Sequence, residues 1–100
     1  MSNGKLTKIR KADPENGVEA RYQYAVDGVV YELEKVNEQY RYNRRGSMFS
    51  TVGYRNVWKA WMITPDGPRY VQTGDSRAWV IDHLDENAER HFGMIERGIY

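Results

Sequence analysis

The side chains here that could do chemistry are two histidines, a group of carboxylates and a run of basic and aromatic residues. His83 and His91 are eight positions apart, so they do not form the i, i+4 pair that brings two imidazoles to one metal, and no third ligand is signalled. Asp82, Asp85, Glu86 and Glu89 resemble a carboxylate cluster. On a helix, however, most of them point to solvent, and Glu86 with Arg90 is an ordinary i, i+4 ion pair. Ser47, Ser50 and Thr51 lie between glycines but lack the lysine of a phosphate-binding loop. No Ser, His and Asp set has a recognisable spacing, and the absence of cysteine removes thiolate chemistry. No catalytic residue, metal site or cofactor is expected, and the chain reads as non-enzymatic.

The stretch from Gln39 to Trp61 contains no acid and carries Arg41, Arg44, Arg45, Arg55 and Lys59 among Tyr40, Tyr42, Phe49, Tyr54, Trp58 and Trp61. Cationic side chains contact phosphates and aromatic faces stack on bases. Arg41, Arg44, Arg45, Tyr54, Arg55, Trp58 and Lys59 are therefore the candidate nucleic-acid contacts. The same residues also fit a plainer role, aromatics as core and cations as a solvated edge. The net charge of +1 and pI near 8.0 are well below those of a strongly basic binding domain. Charge is nonetheless unevenly spread. Lys5, Lys8, Arg10 and Lys11 precede the first acid, and the C-terminal segment holds Asp75, Asp82, Asp85, Glu86, Glu89 and Glu96, so an electrically two-sided molecule is expected.

A second candidate surface is apolar. The positions Val80, Ile81, Leu84, Ala88, His91 and Phe92 share one sector of a helix, and Trp79 falls nearly opposite. Unless Ile99 and Tyr100 fold over it, Trp79 is an interface anchor. With Met48 and Phe49 at a loop tip and an apolar tail ending in Ile99 and Tyr100, it defines a protein-interface set that would suit an inhibitor or adaptor, for example of a host factor, or a homodimer.

The elements that must position these residues are organised around Val57 to Phe92, which reads as strand, Pro65-Asp66-Gly67 turn, return strand and helix. Ser76 offers the N-cap and Gly93 the C-terminal stop. Upstream, Val26-Asp27-Gly28-Val29 matches a type I′ hairpin. That turn sets Tyr24 opposite Tyr31, Tyr22 opposite Leu33 and Arg21 opposite Glu34, leaving one face apolar. Val36-Asn37-Glu38 reads as the next turn and Gln39 to Arg44 as a third strand, with Tyr40 and Tyr42 continuing the apolar face. A loop from Arg44 to Gly53 follows. The expected architecture is α+β, an antiparallel meander of about five strands with one C-terminal helix on one face; a small five-stranded barrel with an appended helix is the alternative. Residues 1–18 read as a mobile basic arm, or as an edge strand over Lys5 to Lys11 if Leu6 and Ile9 dock, and residues 19–100 as one compact domain.

No apolar run approaches the roughly 20 residues of a membrane helix, so a soluble, cytoplasmic protein is expected. Its size, lack of cysteine and richness in tyrosine and tryptophan resemble, in type only, the small phage or mobile-element proteins that act by binding.

Overall fold

Asp27 and Gly28 sit at φ 49° and 82°, the two positive values that a type I′ turn requires. This turn joins β2 (Arg21–Val26) to β3 (Val29–Asn43), and it sets the expected register: Val26 opposite Val29, Tyr24 opposite Tyr31, Tyr22 opposite Leu33. The structure, a computed structural model, describes residues 4–11, 13, 15, 19–43, 46, 48 and 50–100. Strand β1 (Lys5–Arg10) pairs with β2, β4 (Ser50–Thr64) with β3, and β5 (Gly67–Gly74) with β4. The result is one open antiparallel sheet of five strands in sequence order. It does not close into a barrel. The helix α1 (Arg77–Arg97) packs on one face, so the chain is an α+β meander.

Alternation explains which face is covered. Tyr24, Tyr31 and Leu33 point to the helix with Ala60 and Met62 of β4, and meet Val80, Leu84 and Ala88 in one buried cluster. Each large side chain sealed there contributes about 1.5–3 kcal/mol. The other face carries charge: Arg21 donates from Nε to Glu34 at 3.0 Å and from Nη1 to Glu32 at 3.3 Å. Hydrogen bonding to Glu34 raises the Arg21 pKa further, with burial opposing it.

Four expectations need revision. First, β3 does not turn at Val36-Asn37-Glu38. Its ladder with β4 runs without a shift from Tyr31 opposite Met62 to Asn43 opposite Ser50. That segment has no glycine or proline to reverse the chain, and β4 offers a partner along its whole length. Second, Tyr40 and Tyr42 therefore lie on the face away from the helix, because an unbroken strand keeps its period of two. Third, the fifth strand is β1, so of the two readings of this segment the edge strand over Lys5 to Lys11 holds in place of the mobile arm; residues 1–3, 12, 14 and 16–18 lie outside the described residues. Fourth, Gly93 lies inside the helix. Gly98 ends it instead, at φ 68°, donating to Ile95 O at 3.1 Å while the Ile99 amide reaches Met94 O at 3.0 Å. The added turn lets Ile95 pack against the core. Ser76 caps the other end as expected, accepting from the Trp79 amide at 3.1 Å.

Candidate nucleic-acid interface

The sheet is five strands wide only near its middle. Strand β2 last pairs with β3 at Glu34, and β5 last pairs with β4 at Trp58. Beyond these points β3 and β4 continue alone. Residues 37–43 pair with residues 50–56 as a two-stranded ribbon that no other described strand flanks. Seven pairs at about 3.4 Å per residue make roughly 20 Å of ribbon, consistent with a molecule measuring 50 × 32 × 30 Å. Four arginines and one glutamate lie between Asn37 and Asn56, a formal +3.

The ribbon's faces differ in kind. On the face away from the helix, Glu38 holds both nearby cations, Arg55 Nη2 at 3.2 Å and Lys59 Nζ at 3.7 Å. Tyr40 stacks on Tyr42 with centroids 5.6 Å apart, and the Arg55 guanidinium lies 5.8 Å from the Tyr40 ring. Gly53 makes room for that ring, since a Cβ there would stand 2.6 Å from Tyr40 Cζ. On the opposite face the Asn37 amide donates to Asn56 Oδ1 at 3.1 Å, tying the ribbon's base. Further out, Gln39, Arg41, Asn43, Ser50, Val52 and Tyr54 share this face. None of the six side chains has a hydrogen-bond, ion-pair or ring partner among the described residues, and Tyr54 is 66% exposed.

The candidate contacts are thus divided. Arg41 and Tyr54 stand on the unpaired face, while Arg55 and Lys59 stand on the other and share a carboxylate. Trp58 lies in the body of the sheet, 5.9 Å from Tyr22 with Arg77 at 5.8 Å from its ring, and acts as packing. Arg44, Arg45 and Phe49 belong to the connection between β3 and β4 and lie outside the described residues. Gln39 and Asn43 were not singled out from sequence. The alternation of Gln39, Arg41 and Asn43 along the strand is the available signal; what the sequence does not show is that no other described strand flanks it.

The apolar candidates do not converge. Trp79 is 44% exposed; it covers Gly74 and stacks on His83 with centroids 3.8 Å apart. It borders a cleft of about 460 Å³ that Arg55, Val57, Thr73 and Asp75 also line. Met48, 95% exposed, follows β3 in the connection beyond the ribbon. Ile99 and Tyr100 lie past the far end of the helix, roughly 30 Å from Trp79 at 1.5 Å per residue. The tail does not fold over Trp79: the Tyr100 hydroxyl donates to Asp66 Oδ2 at 2.9 Å, and Arg69 lies 5.9 Å from its ring.

The chain matches no family model, no curated protein and no solved structure.

The histidines serve the fold. His83 Nδ1 lies 3.0 Å from Trp79 O. His91 is buried with Nδ1 2.7 Å from the Tyr31 hydroxyl, and burial, with Arg90 beside it, lowers its pKa. Desolvation thus outweighs any stabilisation of the imidazolium by the C-terminal half of the helix. Among the described residues no three His, Asp or Glu side chains are grouped to hold a metal. No described helix is long and apolar enough to cross a membrane.

Proposed function

We propose that this chain is a non-enzymatic binding protein that contacts nucleic acid through the β3–β4 ribbon. The observation that supports this is a cationic two-stranded arm standing clear of the sheet, with an exposed row of unpaired polar side chains along one face. Phosphate backbones attract such an arm over a Debye length and reward each neutralised phosphate with counterion release. Arg41, Arg44 and Arg45 carry the contact. Arg55 and Lys59 contribute less, because each must leave Glu38 to reach a phosphate. Titration of the purified chain against fluorescent single- and double-stranded DNA and RNA, at low and then physiological salt, tests the reading. Binding that weakens steeply with salt yet remains measurable at physiological salt is the expected result. No binding at low salt overturns it.

A second reading, a protein-binding inhibitor or adaptor, draws support from the half-exposed Trp79 beside its cleft. It places the anchor on Trp79 alone, since Met48, Ile99 and Tyr100 stand elsewhere on the molecule.

A further inference from the structure

Gln39, Arg41 and Asn43 occupy alternate positions of β3 and share one ribbon face with Ser50, Val52 and Tyr54 of β4. We infer that this face reads base edges in the major groove of duplex DNA, an inference that rests on the nucleic-acid reading and specifies its ligand. Three observations carry it. The first is chemical. Arginine pairs bidentately with the O6 and N7 of guanine, glutamine and asparagine pair with the N6 and N7 of adenine, and an apolar side chain such as Val52 suits the thymine methyl.

The second is availability. The other face has paired its charged groups internally, Glu38 with Arg55 and Lys59, and its two tyrosine rings stack on each other. Asn37 and Asn56 are already hydrogen-bonded to each other. Gln39, Arg41 and Asn43 have no such partner among the described residues, so their donors and acceptors are free for a ligand and need no rearrangement to reach it.

The third is shape. A two-stranded ribbon enters the major groove of B-form DNA, roughly 12 Å wide, whereas the A-form RNA major groove is too deep and narrow for side chains to read. Alternate strand residues are about 6.8 Å apart, close to two base-pair steps of about 3.4 Å. The net positive charge of the ribbon, with Arg44 and Arg45 in its connection, complements the phosphates that border the groove. Base contacts then specify while phosphate contacts position.

The test is selection of duplexes from a randomised DNA library with the full-length chain. The affinity of the enriched duplex is then compared with that of a scrambled one for the wild type, Arg41→Ala and Gln39→Ala. The expected result is a short motif containing guanine and adenine. Arg41→Ala should reduce the ratio of enriched to scrambled affinity about 10- to 100-fold, with the loss concentrated at a G·C pair, while scrambled-duplex binding falls only several-fold. Circular dichroism checks that the variant folds, as an exposed arginine without a partner permits. Equal binding to all duplexes overturns this inference and leaves the nucleic-acid reading standing. Preference for single strands or for RNA does the same. No binding to any nucleic acid overturns both.

Discussion

The Tyr31 hydroxyl lies 2.7 Å from His91 Nδ1 in a buried setting, joining the middle strand of the sheet to the C-terminal half of the helix across sixty residues of chain. The rings meet edge to face, with centroids 5.7 Å apart. A neutral imidazole can accept the phenolic proton there, and a protonated one cannot. Burial raises the Tyr31 pKa, with Asp85 adding to it, and burial lowers that of His91, so the neutral pair is the stable form.

Stability should therefore fall with acid. The folded pKa of His91 lies below its unfolded value of about 6.5, so the unfolded chain binds the extra proton. The contribution is complete above that pH and declines as pH drops through it towards the folded value. Urea midpoints measured from pH 7.5 to 5 check this, and a flat profile would show that His91 protonates in place. Tyr31→Phe should cost about 1–3 kcal/mol by leaving the imidazole nitrogen buried and unpaired.

Glu38→Gln should strengthen nucleic-acid binding. It releases Arg55 and Lys59 from a shared carboxylate and raises the ribbon's formal charge by one. Affinity should rise several-fold at low salt, with a steeper salt slope. Stability should change by no more than about 1 kcal/mol, because these ion pairs are partly exposed. Unchanged affinity would mean that neither cation reaches the ligand.

Replacing Arg44 and Arg45 together by glutamine should weaken binding to enriched and scrambled duplexes by the same factor. The logarithmic salt slope should become shallower by about 1.8, or roughly 0.9 per lost phosphate contact. A loss restricted to the enriched duplex would instead assign these arginines to base reading.

Trp79→Ala should leave nucleic-acid affinity intact, since Trp79 packs over Gly74 at the helix start and away from Gln39, Arg41 and Asn43. A loss of about 1–3 kcal/mol of stability is expected from its half-buried ring. If a protein partner is captured by the wild type and lost in a folded Trp79→Ala chain, the second reading gains.

The sequence revealed most where local geometry has few solutions. Asp27-Gly28 admits one turn, that turn admits one register, and the apolar face of Tyr22, Tyr24, Tyr31 and Leu33 follows. The ribbon was harder to see. Asn37 and Glu38 are weak strand formers, so Val36 to Glu38 looked like a reversal, and only the partner strand, seventeen or more residues later, keeps them extended. Placing a turn there put Tyr40 and Tyr42 on the wrong face and so gave the row at Gln39, Arg41 and Asn43 the wrong surroundings. Gly93 misled in a similar way. A glycine stops a helix only where the chain takes the left-handed conformation, and here the packing of Ile95 carried the helix on to Gly98. The division of cations between free and Glu38-bound was not legible, because it depends on which residues face each other across the ladder.

A ribbon without flanking strands has a dynamic consequence. Two-stranded hairpins are marginal by themselves, so residues 37–43 and 50–56 should open without the rest of the molecule, and their backbone amides should exchange with deuterium far faster than those of Tyr31, Leu33 or Met62. The arm would then be the last part to order and the first to loosen. A ligand gripping it would convert this fast-exchanging segment into a slow one while leaving the body's exchange unchanged, a footprint readable by mass spectrometry even before the ligand is identified.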